Sequence, residues 1–506
     1  MSNKNAQRLL IVGAICLLSA TALRLVRVLP TGSNLTPTSG EWLALALDLT
    51  DGVFYRPLIS DLGYGGTRYF PLHFVMHAGL IKLFGHPLIT GHAISIASGL
   101  GLLAGVYVLL RRLGVRPALS ASGATLVLAG YASQFAISTI RGDLLPTALN
   151  IWGLACCASP KNDKESRSLV IYATIFFVLA FAAKVTMVYG FAAAFAALML
   201  SHRNRDAWTL LGLTSLGMAI VLAAMWVASN GRAFDCLVSC SSGGGTLNDL
   251  LLTPRRFIIS FIASGPINWV FWSLGTAGLL FFWRRTWREL PSLALLTTGA
   301  VTVGLYASPG ISFNHLLDMN VMMVVFLLLL PDRGRAKFSF AVTTLAVIAI
   351  VASFLVLVTM RLVDLRHSAE RFDCVLNQVK DSGPIFTDNT LIPVLAGERP
   401  FALSSFMLGV IQKHDSAIAH DLNSKLEQGY FGSVVLDKSP FTPKDEELMY
   451  EWTYEWSYGE DFTDRILKRY ELVASCGNFF VFRRRHDIDP MTSSAKRSTL
   501  GEDLND

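Results

Sequence analysis

GEWLALALDLTDGVFYRPLISDLGYGGTRYFPLHFVMHAGLIKLF, residues 40–84, holds Glu41, Asp48, Asp51 and Asp61, the arginines Arg56 and Arg68, several glycines and a cluster of aromatics. Long apolar runs flank it on both sides. A simple connector needs none of these groups, so the stretch reads as a binding surface. Its second half decides the fold. Residues 70–84 are apolar but few, begin Phe70-Pro71, and contain His73, His77 and Lys82. If they do not cross the membrane, segments 1–8, 111–116, 161–167, 202–206, 284–288 and 333–337 share one side and hold 16 Lys and Arg, against 8 on the other. Reading 70–84 as a crossing inverts every later basic cluster, against the positive-inside rule. They are therefore expected to form a helix lying in the outer interface, at the end of a large outer loop, 30–87.

The rest of the chain follows from that choice. Its 506 residues are 52% hydrophobic and 16% charged, with mean hydropathy +0.46, which places it among polytopic membrane proteins. The net charge of +6 sits in short clusters between apolar runs. It is a topology signal and implies no nucleic-acid partner. A span needs about 20 apolar residues, and runs fall near 9–29, 88–110, 117–137, 144–159, 168–183, 186–201, 207–228, 257–283, 290–308, 317–331 and 338–360. The first reads as a retained span. This gives about eleven transmembrane helices, N-terminus cytoplasmic and C-terminus outside. As one helix, 168–201 would be about 50 Å long against a core of about 30 Å, so a hairpin turning at Lys184 is expected. Ser264-Gly265-Pro266 predicts a kink or an interfacial piece in 257–283.

The polarity changes after residue 361. In 362–486, strands are expected at 384–388, 432–436, 470–474 and 478–483, alternating with helices at 366–380, 404–427 and 443–456. The organisation is thus a transmembrane domain, 1–361, an extracytoplasmic α/β domain, 362–486, and a disordered tail, 487–506. Cys16, Cys156 and Cys157 lie in spans. Cys236, Cys240, Cys374 and Cys476 fall outside, where disulfides are allowed. Of the three possible pairings, Cys374–Cys476 suits a bridge within the α/β domain, and Cys236 and Cys240 pair only off a regular helix.

Ionisable residues at membrane depth are costly and usually serve a site. Here they gather at one level: the 40–84 loop, Arg141-Gly142-Asp143, Lys184, Asn314-His315 with Asp318, and Arg24 and Arg27 near the end of the first span. A single outer cavity with both carboxylates and cations fits a lipid-linked phosphate. Arg and Lys hold the phosphate, and a carboxylate takes a proton from the attacking hydroxyl.

This layout resembles the GT-C fold glycosyltransferases that use polyprenyl-phosphate sugars, such as the lipid A aminoarabinose transferases, the protein O-mannosyltransferases and, more distantly, the oligosaccharyltransferases. The resemblance rests on one span followed by a large outer loop with an early acidic residue, a G-x-x-Y-R-P turn, R-Y-x-P-L, Arg141-Gly142-Asp143, Lys184 and Asn314-His315-Leu316-Leu317-Asp318. It implies a membrane glycosyltransferase, inverting, located in a bacterial inner membrane. It implies Glu41 and Asp143 as catalytic residues and as ligands of a divalent metal (Mg or Mn). Arg68, Tyr69, Arg141, Lys184, Asn314 and His315 would contact substrate. The partners implied are a polyprenyl-phosphate sugar donor, a glycan, lipid or protein acceptor, and membrane lipid. Many members carry Asp-Glu where this chain has Gly40-Glu41, so the base falls to Glu41, Asp48 or Asp51.

Structural alternatives stand beside each role. Glu41 also suits a helix N-terminus, complementing its dipole, and Asp48 and Asp51 a solvated face or turn. Arg68 and Tyr69 also suit fixing the interfacial helix, Arg141–Asp143 a turn-holding salt bridge, and Lys184 snorkelling to head groups. Arg24 and Arg27 suit anchors at lipid phosphates. His73 and His77, at i and i+4, suit a metal or the helix core. The competing functions are a lipid-linked glycan transporter or flippase and an outer-face polysaccharide-assembly scaffold.

Overall fold

The computed structural model describes residues 2–32, 34–158, 163–241, 247–308, 310–332, 337–366, 370–413, 415–437, 458 and 461–485. The first helix, α1 (Asn3–Thr31), is followed by α2 (Pro37–Thr50), a two-stranded hairpin of β1 (Ile59–Ser60) and β2 (Gly63–Tyr64), and α3 (Leu72–Phe84). The bundle continues with α4 (Pro87–Arg112), α5 (Pro117–Leu126), α6 (Tyr131–Ser138), α7 (Leu144–Cys157), α8 (Asp163–Ala183), α9 (Val188–Leu200) and α10 (Asn204–Ser229). Then come α11 (Arg232–Ser241), α12 (Leu247–Ala263), α13 (Pro266–Thr286), α14 (Leu290–Leu305), α15 (Leu317–Asp332) and α16 (Phe338–Arg366).

Helix occupies each of the eleven apolar runs, with 117–137 broken into α5 and α6 around Val127–Ala129 and Gly130, and the chain is a polytopic α-helical membrane protein. Among the described residues, five helices are long and apolar enough to cross a bilayer alone, and α12 and α13 make a bent pair at 119°. The break falls at Ser264-Gly265, ahead of Pro266, where the sequence predicts it. The 168–201 run is two helices with Lys184 in the turn between them. Helices α7 and α9 have 14 and 13 residues, so they rise only about 20 Å against a core of about 30 Å. Neither is long enough to cross a bilayer core alone, and irregular backbone at such depth is tolerated only where protein buries it or it lines a cavity. Close helix contacts use small residues, as membrane packing requires: a Cβ on Gly13 of α1 would lie 3.0 Å from the Ala346 carbonyl oxygen of α16.

At 13 residues, α3 is also too short to cross. It buries His73, Phe74, His77 and Ala78 against its neighbours and exposes the apolar Val75, Met76, Leu83 and Phe84.

The C-terminal unit contains α17 (Glu370–Val379), β3 (Ile385–Thr387), α18 (Leu391–Leu395), α19 (Ser405–Gln412), α20 (Ser416–Glu427), β4 (Ser433–Asp437), α21 (Phe462–Arg469), β5 (Tyr470–Cys476) and β6 (Phe479–Arg484). Its sheet has the order β3-β4-β6-β5, with β3 and β4 parallel and the other pairs antiparallel. The parallel pair needs a crossover, which α18 to α20 supply. Alternate residues face opposite sides: Val434 and Leu436 pack with Leu422, Phe462 and Ile466, while Val435 packs with Val375, Ile385 and Val481. All four expected strands are present. The expected 404–427 helix is split into α19 and α20. The expected helix at 443–456 and the tail 487–506 lie outside the described residues. Cys374 and Cys476 form a disulfide, and Cys236 and Cys240 lie unpaired on α11.

Candidate active site

The unit rests on one face of the bundle, together with α2, α3 and the turns at 139–143 and 184–187. Helix α2 starts where its sequence dictates. The Thr36 side chain accepts from Ser39 N, Ser39 Oγ accepts from Thr36 N, and Pro37 occupies the first turn, a capping box with proline where no N–H is needed. Glu41 therefore falls beyond the first turn, is 9% exposed, and is no dipole-capping charge. Tyr69 Oη donates to Glu41 Oε2 at 2.6 Å. Arg68 and Arg141 act on it only at longer range. Burial pushes the Glu41 carboxyl above its ordinary value, opposed in part by the Tyr69 and Ser404 hydroxyls and then by the two arginines.

Tyr69 stacks on Trp42 with ring centroids 4.3 Å apart, and Trp42 meets the His73 ring edge-on at 4.7 Å. Gly142 backs the same indole: a Cβ there would lie 2.6 Å from two Trp42 ring atoms. One aromatic wedge thus ties α2, α3 and the 139–143 turn together.

Gly40 has an equally specific reason. A Cβ at this position would fall 2.3 Å from Leu391 N and 2.6 Å from the Thr390 carbonyl carbon, so the backbone of the C-terminal unit occupies the space of any side chain. The acidic pair of the resembled family has no room here. Gly40→Asp is expected to push the unit off α2, at an overpacking cost of about 1–3 kcal/mol or more. Its melting temperature should fall and proteolysis of the unit should speed up. A variant as stable and protease-resistant as wild type would show the contact to be loose.

The second cluster centres on Asp143, which precedes the first turn of α7. Lys184 Nζ lies 3.1 Å from Oδ1, Arg141 Nε 3.0 Å from Oδ2, and Asn314 Nδ2 donates to Oδ1 at 3.2 Å. Burial alone would raise this carboxyl, but Lys184, Arg141 and His315 hold it well below the usual carboxylate range. Arg141 also lies over the Phe135 ring at 5.2 Å. Arg68 reaches Ser308 Oγ at 3.5 Å and lies 5.8 Å from the Phe406 centroid. His315 Nδ1 is buried without a hydrogen-bond partner. Beneath the cluster, the buried Asp318 accepts from Thr147 Oγ1 and Tyr189 Oη, both at 2.7 Å.

Several sequence expectations change. Asp48 is not solvated: it is 4% exposed and held by Arg56 through Nε at 2.6 Å and Nη2 at 2.8 Å. Asp51 is an exposed turn residue as expected and pairs with Arg399. Arg27 is exposed, but Arg24 is 3% exposed and turned into the bundle rather than anchored at head groups. His73 and His77 have ring centroids 6.2 Å apart, and His77 Nε2 faces the Pro87 carbonyl oxygen at 2.8 Å. Burial, then His77, pushes His73 down to about 3, so it stays neutral. The donor set around the two acidic residues does not suit a divalent metal. Both Asp143 oxygens are taken by cations and Asn314, Glu41 is held by the Tyr69 hydroxyl, and no metal-binding group of three His, Cys, Asp or Glu occurs among the described residues. Thr147 and Tyr189 carry no sequence signal of a role and are identified by their hydrogen bonds to Asp318.

The backbone as a whole matches solved structures. ArnT from Cupriavidus metallidurans bound to undecaprenyl phosphate aligns over 92% of this chain and 97% of its own, with TM-score 0.55 and 11% identity. The Archaeoglobus fulgidus oligosaccharyltransferase, tethered with an acceptor peptide containing the NVT sequon, aligns over 96% of this chain and 74% of its own, with TM-score 0.56 and 12% identity. The fold is that of the GT-C glycosyltransferases. Apo ArnT from the same organism aligns over 88% of this chain and 92% of its own, at TM-score 0.51 and 13% identity. At the sequence level no family model and no curated protein matches. The GT-C fold is thus kept here by packing and layout, with little sequence in common.

Proposed function

We propose that this chain is an integral-membrane glycosyltransferase that moves a sugar from a polyprenyl phosphate to a hydroxyl-bearing acceptor. The observation that carries the reading is the pairing of two unlike carboxylates on one face of a GT-C fold. Asp143 is neutralised by Lys184 and Arg141 and organises them. Glu41 is buried, hydrogen-bonded by the Tyr69 hydroxyl and raised towards basicity. Environments that push two carboxylates apart assign them different roles.

Glu41 takes the proton of the acceptor hydroxyl as its oxygen bonds to the anomeric carbon. The bond from that carbon to the phosphate oxygen breaks on the opposite side, with inversion. The electron pair leaves on the polyprenyl phosphate, whose growing charge meets Lys184, Arg141 and Arg68. Asp143 keeps the cations aimed, and Asn314 and His315 line the same pocket. The prenyl chain leaves between helices into lipid. The site faces outward in this reading, with the N-terminus cytoplasmic. The basic ends of α4 and α13, Arg111-Arg112 and Arg284-Arg285, support the orientation. So does the Cys374–Cys476 disulfide. A bacterial inner membrane fits both.

The test is donor turnover by purified protein, offered a panel of polyprenyl-phosphate sugars with membrane lipid and glycan fractions as acceptors. Release of polyprenyl phosphate supports the reading. No turnover of any donor would move the chain to a transport or scaffold role. Lys184→Met separates binding from chemistry. Loss of one charge-assisted contact to phosphate should raise the donor KM about 10- to 100-fold, and an unchanged KM would take Lys184 out of the phosphate site.

A further inference from the structure

Residues 399–403 of the C-terminal unit are tied to the outer loop. The Arg399 guanidinium pairs with Asp51 and donates to the Leu47 carbonyl at 3.1 Å. Arg56 Nη1 donates to the Pro400 carbonyl at 2.7 Å. Tyr64 N donates to the Phe401 carbonyl at 2.7 Å, and Leu403 N donates back to the Tyr64 carbonyl at 3.0 Å. The chain then enters α19, capped by the Ser404 hydroxyl, which accepts from Met407 N at 3.4 Å. Met407, Leu408 and Ile411 are buried in the core of the unit, while Phe406 is half-buried at its edge. There the Phe406 ring closes on the turn before Phe313. A Cβ on Gly310, at φ +76°, would lie 2.4–3.0 Å from three Phe406 ring atoms. The Arg68 guanidinium lies over the same ring, 5.8 Å from its centroid, with Nη1 3.5 Å from Ser308 Oγ.

We propose that Phe406 is a positioning residue that holds the Arg68 guanidinium towards the donor phosphate, so that the C-terminal unit completes the phosphate site. The proposal rests on the reading of Arg68 as a phosphate contact given above. Lys184 and Arg141 are both paired with Asp143, which orients them and also neutralises part of their charge. Among the described residues Arg68 has no ion pair, so its charge is kept for a ligand. It still needs a direction, because a long side chain that is loose beforehand loses rotamer freedom on binding. A ring face gives that direction: its quadrupole attracts the cation and brings no negative charge of its own. Arg141 is backed in the same way, by Phe135 at 5.2 Å. The difference is that Phe135 belongs to the bundle, whereas Phe406 arrives only when the C-terminal unit docks.

The test is binding of farnesyl phosphate to the full-length protein in detergent, with farnesol as the control that lacks the phosphate. Phe406→Leu keeps an apolar group against Gly310 and removes the ring. It should weaken farnesyl phosphate about 3- to 30-fold and leave farnesol binding and the melting temperature as in wild type. Phe406→Tyr keeps the ring face and should follow wild type. Arg68→Met should weaken farnesyl phosphate about 10- to 100-fold. Adding Phe406→Leu to it should cost nothing further, because the ring acts through the guanidinium. Unchanged affinity in Phe406→Leu, an equal loss for farnesol, or losses that add in the double variant would each overturn the proposal. If the leucine variant does not accumulate, pentafluorophenylalanine at position 406 carries the test, since it nearly keeps the shape and removes the negative face. A weakened farnesyl phosphate then supports the proposal, and wild-type affinity overturns it. Unchanged affinity in Arg68→Met would instead take Arg68 out of the phosphate site, and the reading beneath the proposal would go with it.

Discussion

Glu41→Gln lowers sugar transfer by roughly 10²- to 10⁴-fold, the usual worth of a positioned general base, and leaves the protein folded and membrane-inserted. The substitution is nearly isosteric, and a glutamine carbonyl still accepts from Tyr69 Oη. Only the charge and basicity go. Burying a neutral amide costs less than burying a carboxylate, so the melting temperature should hold or rise. That combination of a stable protein with no chemistry separates a catalytic Glu41 from a structural one, which would lose both together. The wild-type pH profile gives an independent check. A base works deprotonated, and burial raises this carboxyl, so turnover should fall as the pH drops through a limb lying above the ordinary carboxylate range. A limb at or below that range, or full activity in Glu41→Gln, would shift the base elsewhere. Asp48 and Asp143 are poor substitutes, each locked to cations, and Asp51 is exposed and paired with Arg399.

Fold and site were legible to different degrees, for physical reasons. Helices in a bilayer announce themselves, because hydropathy and the sidedness of charge are one-dimensional signals. The α8–α9 hairpin, the α12–α13 break and the short α3 could all be read that way. Convergence of Glu41, Arg68, Tyr69, Arg141, Asp143, Lys184 and Asn314 followed from their shared depth. What depth cannot give is partnership. Nothing in the sequence says that Asp48 meets Arg56 rather than water, or that Arg24 turns inward. The reason for Gly40 was also hidden, since the backbone it touches lies about 350 positions away.

Arg56→Met is expected to destabilise the protein by about 3–5 kcal/mol, the cost of stranding one member of a buried ion pair. The Arg56 side chain is fully buried, and it binds Asp48 through two nitrogens at 2.6 and 2.8 Å while donating to the Pro400 carbonyl. Without it, Asp48 keeps only Arg399, at 3.6 Å, and residues 399–403 of the C-terminal unit lose one of their ties to the outer loop. Unfolding in detergent should shift down by several degrees, and the C-terminal unit should be cleaved faster by protease than in wild type. The size of the effect comes from the abandoned charge more than from a lost attraction, and that makes a second expectation. Arg56→Met combined with Asp48→Leu removes both charges, and replacing a whole buried pair by apolar groups is often close to neutral. The double variant should recover most of the lost stability, a coupling that a double-mutant cycle reads directly. It should not recover resistance to protease in full, because the Pro400 carbonyl still lacks its donor. Additive losses in the cycle would mean that Asp48 and Arg56 act separately, and that the loop holds the C-terminal unit by Arg399 and the backbone bonds to Tyr64 alone.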